Sequence, residues 1–64
     1  MVWYLLFDGQ SEDGRGEGTF VKRTMDKEVA YKHYAKVRKN PYSTGKVMLV
    51  NDFDFRLATE KDFK

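Results

Sequence analysis

The sequence predicts an α+β domain: two layers, one helix packed on a four-stranded antiparallel sheet, with element order β-β-α-β-β and strand order 2-1-3-4. Three observations lead there. Apolar, β-branched and aromatic residues gather into four short runs bounded by Gly, Asn, Asp or Pro. One stretch, 26–39, instead repeats its apolar positions at helical spacing. That stretch lies between the second and third runs, so a right-handed crossover makes those two strands parallel, and strand 1 fits between them.

The first run, Met1-Val2-Trp3-Tyr4-Leu5-Leu6-Phe7, stops at Asp8-Gly9 and predicts a strand over Val2–Phe7. It has no basic leader and falls far short of the roughly 20 residues of a membrane span. A cytoplasmic protein without a membrane partner is the expectation. Thr19–Arg23 predicts a second, edge-like strand. Thr24 or Asp26 is suited to cap a helix over Asp26–Lys39, because a side-chain oxygen there accepts the free amides of the first turn. Val29, Ala30, Tyr34 and Val37 form its apolar stripe, Glu28 and Lys32 an i,i+4 pair. Asn40-Pro41 ends it, since a residue before proline is pushed out of the α region. Lys46–Val50 and Phe53–Ala58 predict strands three and four, and Glu60–Lys64 is either a short helical turn or a frayed end.

The chain has 64 residues and no cysteine, so a single domain, 1–64, folds around one core without disulfides or thiolate metal sites. At this length only about 60% of the unfolded surface is buried. Net charge is +2, but residues 21–46 carry eight Lys/Arg against Asp26 and Glu28, whereas 1–20 set Asp8, Glu12, Asp13 and Glu17 against Arg15. Such polarity steers partners without dictating a fold.

Strands 1 and 3 are apolar on both faces, although a one-helix, two-layer domain covers only one. An apolar patch on the open face is therefore expected, with Tyr4, Leu6, Met48 and Val50 as candidate contact residues. A shift of one residue in phase exchanges these for Trp3, Leu5, Val47 and Leu49. Phe63 with the C-terminal turn, the 9–18 loop, or a partner are the alternatives for covering it.

Enzyme chemistry finds little support. The single histidine, His33, lies beside the helix stripe and reads as a packing residue. Ser11, Ser43 and Thr44 have no second histidine or cysteine with which to build a nucleophile–base pair. DGQSEDGRGEG, residues 8–18, imitates a calcium loop, but its sixth and twelfth positions hold Asp13 and Thr19 where glycine and glutamate are needed. Read instead as the start of a kinase glycine loop, it has Thr19 in place of the third glycine. Ser43-Thr44-Gly45-Lys46 resembles the end of a P-loop, yet Val47 replaces the required hydroxyl residue. No catalytic residue, cofactor or metal is expected.

Two binding classes are left. Lys27, Lys32, Lys36, Arg38 and Lys39, with Tyr31, His33, Tyr34 and Tyr42 among them, give helix 26–39 the cations and rings of a single-strand nucleic-acid binder. Protein binding fits better, because the two-sided strands and the many Tyr, Trp and Phe residues suit an interface with a protein partner or a second copy. The helix residues Lys32, Lys36 and Lys39 offer a second candidate surface. The loop residues Asp13, Arg15 and Glu17 offer a third.

The aromatic first strand VWYLLF and the passage YKHYAKVRKNPYSTGKV give the chain a resemblance, over its full length, to the small single-domain accessory proteins of tailed bacteriophages. Many of those bind and redirect or inhibit a host enzyme or defence complex. The resemblance implies a non-enzymatic, protein-binding role in the host cytoplasm and assigns no individual residue.

Overall fold

The apolar run Trp3–Phe7, closed by Asp8, builds the central strand of the computed structural model, which describes all 64 residues, Met1–Lys64. The elements are β1 (Trp3–Asp8), β2 (Thr19–Thr24), α1 (Lys27–Lys39), β3 (Lys46–Val50), β4 (Phe55–Leu57) and a 3-10 turn over Glu60–Phe63. Strand order is β2-β1-β3-β4, and every neighbouring pair is antiparallel. This is the expected topology.

The helix is bounded by the expected signals. Oδ1 of Asp26 accepts the amides of Glu28 (2.9 Å) and Val29 (3.4 Å), and Oγ1 of Thr24 accepts the amide of Asp26 at 3.0 Å. Asn40, held extended ahead of Pro41, closes α1 and takes the Tyr42 amide on its side chain. The fourth strand is shorter than expected, because Asn51 claims the residues before it. Its Oδ1 accepts the amides of Phe53 (2.8 Å) and Asp54 (2.7 Å), leaving Phe53 in a turn and 94% exposed.

One face of the sheet meets α1. In an antiparallel ladder directly opposed residues point to the same side. Tyr4 opposes Leu49 and Leu6 opposes Val47, and these four are buried with Ala30 and Ala58. Ala30 is fully buried, and its small side chain lets the helix backbone approach the sheet. The C-terminal 3-10 turn returns Phe63 to this same side, where its ring stacks on Tyr4 at 5.7 Å and meets Tyr34 at 5.0 Å and Tyr31 at 5.3 Å. Asp62 holds that turn in place: its carboxylate takes both guanidinium nitrogens of Arg56 (2.9 and 2.6 Å) and the Thr59 amide (2.7 Å). These donors, Arg56 foremost, hold the Asp62 carboxyl well below the usual carboxylate range.

The expected open-face set is thereby split. Tyr4 and Leu6 belong to the core beneath the helix, whereas Met48 and Val50 do face away. The alternative set divides in the same way, with Trp3 and Leu5 outward and Val47 and Leu49 inward. The cause is the ladder register, which pairs Met48 with Leu5 and Val50 with Trp3.

Candidate interaction surface

The sheet face away from α1 is built strand by strand. Its centre is Trp3, Leu5 and Phe7 on β1, flanked by Lys46, Met48 and Val50 on β3. On β4, Phe55 opposes Val50 and Leu57 opposes Met48. On β2, Arg23 opposes Leu5, and a bulge skips Val21 so that Phe20 opposes Phe7. A bulge re-aims side chains in this way because two residues face one across the ladder. The Phe7 and Phe20 rings meet edge to face at 5.7 Å.

No segment of the chain covers this face. Phe63 is on the helix side, and Phe55, Leu57 and Phe20 are 68%, 56% and 51% exposed. The 9–18 loop docks elsewhere, along residues 41–44. Thr44 donates its amide to Gly9 (3.0 Å), Ser11 donates to Tyr42 (2.9 Å), and Gln10 bridges to Ser43.

Among the strand residues of this face the only charges are two cations, each parked on a ring. The Arg23 guanidinium lies 4.9 Å from the centre of the Trp3 ring, and Nζ of Lys46 lies 5.1 Å from that of Phe7. Such stacking is favourable because the ring face is negative. Neither cation has a carboxylate partner. The molecule's ion pairs lie elsewhere, at Met1–Asp52, Lys36–Asp8, Arg38–Glu60 and Arg56–Asp62.

The other candidate residues are dispersed. Lys32 and Lys36 join Lys22 around a groove floored by Leu6, Val21 and Val29, where α1 leaves β2 uncovered. Lys39 sits apart from it, beyond Arg38 at the helix end. The rings expected among the helix cations are engaged within the fold: Tyr31 and Tyr34 pack on Phe63, and His33 bonds the Phe7 carbonyl. Tyr42 is exposed on the segment that holds the loop. In the loop, Asp13 accepts the Arg15 amide at 3.0 Å, and Asp13, Arg15 and Glu17 are all exposed. No three His, Cys, Asp or Glu side chains converge as metal ligands, and no helix is long and apolar enough to cross a membrane.

Sequence reasoning missed Phe7, Phe20, Phe55, Leu57, Arg23 and Lys46 as members of one surface. The alternation of Phe55 and Leu57 was a usable signal, but the bulge at Val21 leaves none. No protein-family model matches the chain, and no curated protein or solved structure matches it either.

Proposed function

We propose that this chain is a non-enzymatic protein-binding module that works through its open sheet face. The observation that carries the reading is a continuous apolar surface, centred on Leu5 and Met48, that no other part of the chain covers. Four strands about 4.8 Å apart and about five residues long outline roughly 300 Å² in projection. Exposed apolar patches of this order are often functional. Aromatic and aliphatic side chains form the centre and charges sit at its margin, which is the usual anatomy of a protein interface.

The resemblance to phage accessory proteins makes a host enzyme or defence complex, met in the cytoplasm, the proposed class of target. The experiment is a comparative pull-down from the source cell with the wild-type chain and a Leu5→Asp/Met48→Asp variant, both checked by circular dichroism. Partners held by wild type and lost by the variant support the reading. Equal recovery by both overturns it.

A further inference from the structure

Resting on that reading, we infer that the partner is a protein segment whose apolar surface is flanked by carboxylates, and that Arg23 and Lys46 select it. The two cations stand on opposite sides of β1, one on β2 beside Leu5 and one on β3 beside Phe7. Each is stacked on a β1 ring, and Trp3 and Phe7 are four positions apart, about 13 Å along the strand. Leu5 lies between them, with Met48 and Val50 alongside. A complementary surface carries acids at its two ends and apolar side chains in the middle. Because the rings already hold the cations in place, less side-chain freedom is lost on binding.

Two other occupants fit less well. A second copy docked face to face brings four cations and no carboxylate into one interface, and a buried unpaired charge is costly. An oligonucleotide needs free ring faces for its bases and many cations for its phosphates. Here Trp3 and Phe7 each have a face taken by a cation, the exposed rings of Phe55 and Phe20 lie on the outer strands, and the strand residues of this face offer only those two charges. Charges at a margin act chiefly on partner choice and on encounter rate, so selectivity is what the test should read.

The test is selection from a displayed library of random twelve-residue peptides against three folded baits: wild type, R23E/K46E and L5D/M48D. Wild type is expected to enrich apolar peptides flanked by Asp or Glu, R23E/K46E to enrich Lys or Arg at those places, and L5D/M48D to enrich none. Binding of an enriched acidic peptide should weaken about tenfold in R23Q/K46Q, the effect of losing two exposed charge pairs. Apolar peptides with no excess of acid, or the same peptides on wild type and R23E/K46E, overturn the inference and leave the protein-binding reading standing. No enrichment on wild type, or equal enrichment on L5D/M48D, overturns both. Salt-sensitive binding of a labelled oligothymidylate that is lost in R23E/K46E replaces the proposal with a nucleic-acid platform. A sedimenting dimer abolished by L5D/M48D replaces it with self-association.

Discussion

Nε2 of His33, on the inner side of α1, lies 2.6 Å from the carbonyl oxygen of Phe7 on β1. A carbonyl only accepts, so Nε2 carries the proton and donates it. The bond ties the helix to the strand at the point where the β1–β2 ladder shifts register, between Leu6 and Phe7. His33 is thus a tether between the two layers. His33→Leu keeps similar bulk and leaves a half-buried carbonyl without this donor. Urea unfolding should show a loss of about 1–3 kcal/mol. An unchanged midpoint would mean that the bond contributes nothing.

Leu5 and Leu6 are chain neighbours on opposite faces of one strand. Leu6 is 3% exposed and packs in the core with Val47, whereas Leu5 lies on the open face. Leu6→Ala should cost about 2–5 kcal/mol, enough to approach global unfolding in a domain this small. Leu5→Ala, at a half-buried position, should cost clearly less than Leu6→Ala while reducing binding of the hydrophobic dye ANS. Comparable losses of stability at the two positions would contradict the assignment of faces.

The helix and the strand order were legible because their signals are local or topological. Asp26 caps, Asn40-Pro41 terminates, and the crossover rule does the rest. The faces were not legible, for a physical reason. A strand that is apolar at every position carries no period-2 phase, so Val2–Phe7 does not state which side is inward, and in Lys46–Val50 the terminal Lys46 is the one polar residue that marks a side. The phase is set by pairings such as Tyr4 with Leu49, made across more than 40 residues. The cation–ring contacts of Arg23 and Lys46 depend on the same register and were hidden with it. Phe53 was misplaced because the bonds from Asn51 to the turn prevail over the alternation that continues from Phe55.

The Arg56–Asp62 pair gives stability a definite acid dependence. Asp62 has a depressed pKa in the folded chain, so its ionised form is favoured by folding. The contribution is fully present above the ordinary aspartate value of about 4 and is lost as pH falls below it. The urea midpoint of the wild type should therefore fall between pH 6 and pH 3. Asp62→Asn should start lower at pH 6 and fall less. Parallel pH profiles for the two proteins would show that the pair does not couple to folding.

Gly14 fixes how the 9–18 loop sits. Its φ is +70°, a conformation that side chains disfavour, and an added Cβ would run into the Pro41 carbonyl. Gly14→Ala therefore strains the loop backbone and pushes it off the 41–44 segment at once, at about 1–3 kcal/mol. The cost falls on a local unit, so the result should appear in hydrogen exchange rather than in global unfolding. The Ser11 and Thr44 amides, which bond across that junction, should exchange at least about tenfold faster. Amides of β1 and β3 should keep their protection, and binding through the open face should persist, because the loop docks elsewhere. Loss of binding in this variant would move the contact surface from the sheet to the loop, with Asp13, Arg15 and Glu17 among its exposed charges.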